Sequence, residues 1–226
     1  MKFLNKVQAD IKDFTDAEAR KLLLAVEHWI ESKLESAIEV FKELVPKIPM
    51  TQRKGGLFYR GFGFDTEHFT EAQEVIRGKG HERGFSSWTS DKTLATDFAR
   101  AAYSHKDRMR DVTISILAEA NIPDLQILLN LEKFCKSKLR VDLAKLGKRK
   151  LSTRAVSMCK QEKEVLAAHS ALEGAKFTVW VTRALPGGRR PFLIGSNKYQ
   201  IETKDFLALS KEDFIKLTKT PVEKAS

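Results

Sequence analysis

Cysteine is scarce in this chain of 226 residues, which contains only Cys135 and Cys159. The two form neither a CxxC pair nor a cluster with histidine, so the sequence indicates no zinc site and no disulfide framework. Apolar runs are also short, and none approaches the ~20 residues that a helix needs to cross a bilayer. The N-terminus, MKFLNKVQADIK, interrupts its apolar residues with charges too early for a secretory signal. We therefore expect a cytoplasmic protein with no membrane contact and no metal.

Acidic residues are outnumbered, with 30 Asp+Glu against 40 Lys+Arg, which gives a formal net charge of +10. The excess is uneven, because residues 1–50 hold 8 basic and 9 acidic residues. From Lys133 to Lys163 there are 11 basic residues, and the only acids are Asp142 and Glu162. This segment indicates an acidic partner, such as nucleic acid or a nucleoprotein. A solvated surface tuned for solubility is the alternative.

The apolar pattern of residues 2–45 predicts two helices. Apolar residues recur at helical spacing from Phe3 to Phe14 and again from Leu23 to Val45. Between these stripes, the T-x-x-E sequence at residues 15–18 fits a capping box. We interpret this part as a packing element. The chain is thus predicted to divide into an N-terminal helical extension over residues 1–50 and a second domain over residues 51–226.

The second part of the chain alternates short strands with a few helices. Strands are predicted at residues 57–60, 85–90, 112–119, 156–167, 176–185, 191–195 and 198–203. Residues 125–131 fit either a strand or a helix. A helix over residues 91–102 is expected to be capped by Asp91, while GFGF at residues 61–64 and PGG at residues 186–188 are expected to form a loop and a turn. The pattern predicts an α+β fold built on antiparallel sheets.

Two acids stand close together in KQEKEVL, at residues 160–166. If the segment is a strand, Glu162 and Glu164 are two residues apart and point to the same face. Two carboxylates this close raise each other's pKa unless a nearby cation offsets their repulsion. A solvated strand edge is the simpler interpretation, so these seven residues alone do not establish a site.

Three motifs in order resemble those of a known family. They are Tyr59-Arg60-Gly61 at the end of a strand, FSSWTSDKTLATDFA over residues 85–99, and Glu162-x-Glu164 followed by Val-Leu. Together they resemble the mono-ADP-ribosyltransferases of the arginine–serine–glutamate class, and the resemblance covers roughly residues 55–205. The middle of the second motif departs from the family, because its sequence is Ser-Trp-Thr and the usual sequence is Ser-Thr-Ser. Its two outer positions, Ser87 and Thr89, still carry hydroxyls.

The resemblance implies a fold, an activity and partners. The fold would be an ADP-ribosyltransferase-like core of two packed, mostly antiparallel β-sheets with flanking helices. The activity would be the transfer of ADP-ribose from NAD+ to arginine side chains of host proteins, with release of nicotinamide and without a metal. Size and charge look most like the small transferases of tailed bacteriophages. Such an enzyme would act in the bacterial cytoplasm on the transcription or translation machinery, with RNA polymerase or a ribosome-associated protein as the acceptor.

The resemblance also implies a role for each carboxylate. Glu164 would bond a ribose hydroxyl and stabilise the positive charge that develops on the sugar. Glu162 would position the acceptor and take its proton, because a fully protonated guanidinium is not a nucleophile.

The remaining site residues would bind NAD+ or hold Glu164. Arg60 would pair with a phosphate, and Gly61 would offer backbone groups to the nicotinamide amide. Ser87 would hydrogen-bond Glu164, with Ser86 as the other choice if the register differs, and Thr89 would add a second hydroxyl on the cofactor side. Singly, Arg60 also fits a surface ion pair and Ser87 a strand-edge hydroxyl.

Other functions remain open on the sequence alone. The same fold would support transfer to a non-arginine or RNA acceptor, or hydrolysis of NAD+. A basic protein without activity that binds nucleic acid or RNA polymerase through residues 133–163 is the alternative from another class. The joint presence of Arg60, Ser87, Glu162 and Glu164 favours the enzyme.

Overall fold

The computed structural model describes residues 13–32, 36–79, 85–100, 114–182 and 198–219. These parts of the chain contain seven strands and nine helices, so the predicted α+β class is confirmed. The helices are α1 Asp16–Ser32, α2 Ser36–Leu44, α3 Phe69–Ile76, α4 Lys92–Arg100, α5 Leu131–Lys136, α6 Lys138–Leu146, α7 Thr153–Glu162, α8 Thr203–Ala208 and α9 Lys211–Lys219. The strands are β1 Gly56–Phe64, β2 Phe85–Thr89, β3 Ile114–Ile122, β4 Ile127–Asn130, β5 Glu164–Ala168, β6 Lys176–Thr182 and β7 Lys198–Ile201.

The chain divides into two compact units. The first comprises Met1–Gly56, Gly84–Ser90 and Ile122–Ala168, and the second comprises Leu57–Arg83, Asp91–Asn121 and His169–Ser226. Within the first unit, α1 and α2 share one apolar core with strands β4 and β5 and with α5, α6 and α7. The predicted division of the chain at residue 50 stays a prediction.

The first unit contains three neighbouring antiparallel strands in the order β4–β5–β2. Strand β5 is central and pairs Leu166 with Ser87, and Glu164 with Thr89. Because β5 is covered on both faces, its apolar residues Val165, Leu166 and Ala167 are all buried. This strand brings its first residue, Glu164, to the same level as the end of β2.

The second unit contains strands β1, β3, β6 and β7, of which β6 pairs antiparallel with both β3 and β7. Its core is formed by Ile114 and Ile116 of β3, Val179 and Val181 of β6, and residues of α3, α8 and α9. Phe69 lies at the centre, with its ring centroid 5.2 Å from that of Phe206 and 4.7 Å from that of Phe214. These aromatic contacts hold the C-terminal helices on the unit.

Several local predictions are confirmed. The Thr15 N–H donates to Glu18 Oε2 at 2.9 Å and the Glu18 N–H donates to Thr15 Oγ1 at 3.2 Å, which is the predicted capping box. Asp91 caps α4, because its Oδ1 accepts the N–H of Thr93 at 3.0 Å and of Leu94 at 3.1 Å. Strands β2, β3, β6 and β7 lie within or close to the predicted ranges. Predictions for residues 2–12, 101–113 and 183–197 fall outside the described residues.

Two local predictions are wrong. GFGF is not a loop, because β1 continues through it to Phe64. Residues 153–162 form helix α7 and not the first part of a strand. Ser152 starts this helix by accepting the Ala155 N–H at 3.0 Å, and Ala155 and Cys159 are buried four residues apart on one face. Lys163 ends it in the left-handed conformation, with φ 47° and ψ 40°.

Candidate active site

Glu164 is a buried carboxylate at the first position of strand β5, with 4% of its surface exposed. The left-handed turn at Lys163 separates it from helix α7 and sets the direction in which β5 begins. A buried carboxylate is costly unless hydrogen-bond donors surround it. The side chains that donate to Glu164 therefore define the candidate site.

The first donor is Ser87 in the neighbouring strand β2. Its hydroxyl donates to Glu164 Oε1. Ser87 pairs with Leu166, so Glu164 is its diagonal neighbour on the same face of the two strands. Ser86 lies on the opposite face, where it accepts a hydrogen bond of 2.9 Å from Trp88 Nε1. The predicted bond from Ser87 is thus present, and the choice between Ser86 and Ser87 is settled in favour of Ser87.

The second donor is Trp29 in helix α1. Its indole Nε1–H donates to the same oxygen, Glu164 Oε1, at 2.9 Å. Trp29 is 6% exposed, and its ring packs edge-on against Phe41 of α2 with centroids 6.4 Å apart. The N-terminal helices therefore contribute directly to the surroundings of Glu164, although the sequence indicated only a packing role for them.

Glu162 and Thr89 meet beside Glu164. The Thr89 hydroxyl donates to the backbone carbonyl of Glu162 at 2.8 Å. Glu162 is the last residue of α7 and is half-buried. The expectation that Glu162 and Glu164 project from one face of a strand is therefore wrong, because a helix end and a left-handed residue separate them. They remain neighbours through a tight turn, and Thr89 fixes the backbone of that turn.

Arg60 and Gly61 lie in β1 of the second unit and have their own contacts there. Arg60 is half-buried, and its guanidinium carbon lies 4.6 Å from the ring centroid of Phe62, two residues along the strand. Gly61 passes close to helix α4: a Cβ at this position would lie 1.9 Å from the Ala95 carbonyl oxygen and 2.5 Å from the Ala99 nitrogen. Gly61 thus has a packing role that the sequence did not show. Ser87, Thr89, Glu162 and Glu164 are the predicted residues that the first unit brings together.

Helix α1 also holds the start of α7. Glu27 accepts hydrogen bonds from Arg149 Nη2 at 2.5 Å and from the Ser152 N–H at 2.9 Å. One turn on, Glu31 accepts from the Ser152 hydroxyl at 3.0 Å. Burial opposes ionisation of Glu27, but these bonds outweigh it and lower the pKa of Glu27 below its ordinary value. Helix α1 therefore binds both ends of the segment that leads to Glu164.

Replacing Glu27 by glutamine should destabilise the protein by about 1–2 kcal/mol at neutral pH. Because the folded-state pKa is lowered, the stabilisation is fully present above the unfolded-state pKa of about 4.3 and is lost as the pH falls through the folded value. Urea unfolding of the parent and of Glu27→Gln at pH 7 and pH 3 measures this. The control is Glu43→Gln, which removes an exposed ion pair with Lys21 and should cost less than about 0.5 kcal/mol. An equal deficit for Glu27→Gln at both pH values would contradict the assignment.

Every exposed charged side chain from Lys133 to Lys163 is cationic. Asp142 and Glu162 are both half-buried, and so are three of the basic residues. The exposed ones are Lys133, Lys136, Lys138, Lys145, Lys148, Lys150, Arg154 and Lys160. These eight residues are called the basic surface below. They belong to the first unit, on α5, α6, α7 and the segments that join them.

Other sites are not indicated by the described residues. They contain no group of three or more His, Cys, Asp or Glu side chains placed to hold a metal ion. Within the same ranges, no helix combines the length and the apolar composition that crossing a membrane requires.

The residue that sequence reasoning missed is Trp29. It lies three residues after Val26, at a spacing that would have indicated burial on the apolar side of α1, and a buried tryptophan needs an acceptor for its N–H. That signal does not say which acceptor, because the partner lies 135 positions away along the chain. Comparison of the whole chain with protein-family models, curated proteins and solved structures finds no match in any of the three. The geometry around Glu164 is therefore the basis for a functional proposal.

Proposed function

We propose that the protein transfers ADP-ribose from NAD+ to an arginine side chain and releases nicotinamide. The observation that carries this proposal is the buried carboxylate of Glu164, held by Ser87 in the adjacent strand. The same serine–glutamate arrangement is what the resemblance to mono-ADP-ribosyltransferases implies. An ADP-ribosyltransferase-like core, and a likeness to the small phage enzymes, belong to the same proposal.

The reaction assigns a task to each carboxylate. The bond between nicotinamide and the ribose carbon breaks, nicotinamide leaves as a neutral molecule, and positive charge develops on the ribose. A fixed carboxylate at Glu164 stabilises that charge, and a carboxylate already oriented costs no reorganisation during the reaction. The guanidine nitrogen of the acceptor then bonds to the ribose carbon and loses a proton, which Glu162 accepts.

The other predicted residues bind the co-substrate or hold the two acidic residues in this proposal. Arg60 pairs with a phosphate of NAD+, and the backbone at Gly61 bonds the nicotinamide amide. Ser87 holds Glu164, while Thr89 holds the backbone of Glu162. The acceptor is an arginine on a protein of the transcription or translation machinery of the host.

Incubation with labelled NAD+ tests the proposal. The purified protein is mixed with NAD+ and either a bacterial lysate or agmatine, a small guanidine, and both nicotinamide and labelled product are measured. Label on arginine, located by mass spectrometry, would support the proposal. Nicotinamide release without a labelled guanidine would replace it with hydrolysis or another acceptor, including RNA. No nicotinamide release from folded protein would overturn it.

The basic surface supports a second function, binding of nucleic acid. Lys138 and Lys145 lie seven residues apart in α6 and so share one side of that helix. Cations placed in this way can contact successive phosphates and release their counterions. In the non-enzymatic alternative, binding of nucleic acid is the whole function of the protein. In the transferase proposal, the same binding would bring the enzyme to RNA-bearing targets.

Reversing two of these charges should weaken RNA binding and its salt dependence. Each lysine that contacts a phosphate contributes about one to the slope of log K against log salt, so the Lys138→Glu/Lys145→Glu double variant should lower the slope by about two. A labelled single-stranded RNA of mixed sequence, titrated at several salt concentrations, measures this. The matched control is Lys204→Glu/Lys219→Glu, which changes the net charge equally at exposed positions in the second unit. Equal slopes for the two double variants would exclude the basic surface as the binding site.

A further inference from the structure

We infer that Trp29 is a positioning residue for Glu164 and that helix α1 is therefore part of the catalytic apparatus. The catalytic consequence of this inference rests on the proposed function, whereas the contact between Trp29 and Glu164 does not. Trp29 and Ser87 approach one oxygen of Glu164 from different elements, helix α1 and strand β2. Two donors on the same oxygen fix the plane of the carboxylate as well as its position.

The two donors differ in what they can enforce. A serine hydroxyl rotates about its C–O bond and can follow the carboxylate through several orientations. An indole N–H has one direction, set by the ring. The Trp29 ring is fixed in turn by its burial in α1 and by its edge-on contact with Phe41, at an interplanar angle of 68°. Of these two donors, Trp29 thus restricts the direction of Glu164 Oε1 more than Ser87 does.

Other contacts of α1 support the same role. Glu27 holds Arg149 and the Ser152 N–H at the start of α7, and Trp29 holds Glu164 just after its end. The segment from Arg149 to Glu164 is therefore bound by α1 at both ends. A side chain held by packing and hydrogen bonds stays within the narrow range of positions that catalysis requires.

Loss of the Trp29 N–H should lower kcat and leave KM for NAD+ nearly unchanged. The bond orients a group that acts on the developing charge, so its loss affects the transition state more than ground-state binding. We expect Trp29→Phe to reduce kcat by about tenfold and to change KM by less than about twofold.

Trp88 supplies a matched control. It is also buried, and its Nε1–H also donates a bond of 2.9 Å, but to Ser86 on the opposite face of β2. Trp88→Phe therefore removes a comparable bond that does not reach Glu164, and its kcat should stay within about twofold of the parent. Replacing Trp29 by benzothienylalanine, in which sulfur takes the place of the N–H, keeps the ring shape and guards against a packing defect in Trp29→Phe.

An NMR measurement tests the contact without any activity. The three tryptophans of the chain, Trp29, Trp88 and Trp180, each give one indole N–H signal in a ¹⁵N-labelled sample, assigned from Trp→Phe variants. Glu164→Gln, which replaces the charged acceptor by a neutral one, should move the Trp29 signal far more than the Trp88 signal. Glu173→Gln, at an exposed position in the second unit, should move neither.

The outcomes separate this inference from the proposed function. An unmoved Trp29 signal in Glu164→Gln would overturn the inference whatever the activity. A moved signal with no nicotinamide release by the parent would leave the contact in place but overturn the catalytic role together with the proposed function. A moved signal, with a kcat loss confined to the two Trp29 variants, is the expected result. Equal kcat in the Trp29 and Trp88 variants would show that the contact is only structural.

Discussion

Replacing Glu164 by glutamine is expected to lower kcat for nicotinamide release by about a thousandfold. The amide keeps the size of the side chain and an oxygen that can accept from Trp29 and Ser87, but it carries no charge. A neutral group cannot stabilise positive charge that develops on the ribose. KM for NAD+ should change little, because the stabilisation belongs to the transition state.

The comparison with Glu162→Gln assigns the two acids separately. Nicotinamide release is measured with and without agmatine, so that hydrolysis and transfer are both recorded. Glu164→Gln should lose both reactions. Glu162→Gln should keep hydrolysis and lose most transfer to agmatine, because its proposed task is to accept the proton of the guanidine. Glu173→Gln should behave as the parent, since its side chain is exposed in the second unit.

Folding has to be intact for this result to have a chemical meaning. Glutamine is preferred to alanine because alanine would leave the Trp29 N–H and the Ser87 hydroxyl without this acceptor in a buried region. Thermal unfolding of Glu164→Gln should therefore stay close to that of the parent. A folded Glu164→Gln variant with nearly the parent kcat would remove Glu164 from the mechanism and with it the main support for the proposed reaction.

The sequence predicted local structure correctly where several neighbouring residues gave the same indication. At residues 85–100, a strand-like stretch predicts β2, and Asp91 directly after it marks the start of α4 by capping it. At residues 15–18, the capping box places the start of α1. Each of these signals depends on neighbours within a few positions. The hydrogen bond from Ser87 to Glu164 was predicted in another way, from the family resemblance, and it is present.

The sequence was less informative where a helix and a strand follow each other without a turn signal. Residues 156–167 have apolar side chains at both ends of the polar run KQEKE, and a single strand was the simplest interpretation. The structure divides the segment at Lys163, because Ala155 and Cys159 bury a helical face before it and β5 buries both of its faces after it. That choice depends on the core that α1 and α5 provide, which no short window of sequence contains.

Long-range contacts explain what could not be predicted. The partner of the Trp29 N–H lies in a strand from the other end of the first unit, and the backbone against which Gly61 packs belongs to α4. Glycines at positions 61 and 63 indicated a loop by composition. In the structure, the absence of a side chain at position 61 instead lets a strand and a helix approach closely.

Replacing Gly61 by alanine is expected to destabilise the second unit by at least about 3 kcal/mol. The new Cβ would lie 1.9 Å from the Ala95 carbonyl oxygen, and both of its nearest neighbours are backbone atoms of α4. Backbone atoms cannot turn aside as a flexible side chain can, so α4 or β1 must shift. Urea unfolding of the parent and of the variant, in the absence of NAD+, measures the loss.

Gly174→Ala provides a contrasting control. Gly174 has φ +79°, but a Cβ there would meet nothing within 4 Å. Its substitution should therefore cost only the roughly 1–2 kcal/mol of a left-handed alanine. The two variants separate a steric requirement for glycine from a conformational one.

The stability of Gly61→Ala also decides how a loss of activity at this position should be interpreted. The resemblance assigns the Gly61 backbone to the nicotinamide amide, whereas the structure shows a close contact with α4. If the variant unfolds easily, its inactivity follows from packing and says nothing about NAD+. If it instead keeps the parent stability and loses NAD+ binding, the steric prediction is wrong and the cofactor role is favoured. Measuring unfolding before activity is what makes the two roles of this glycine distinguishable.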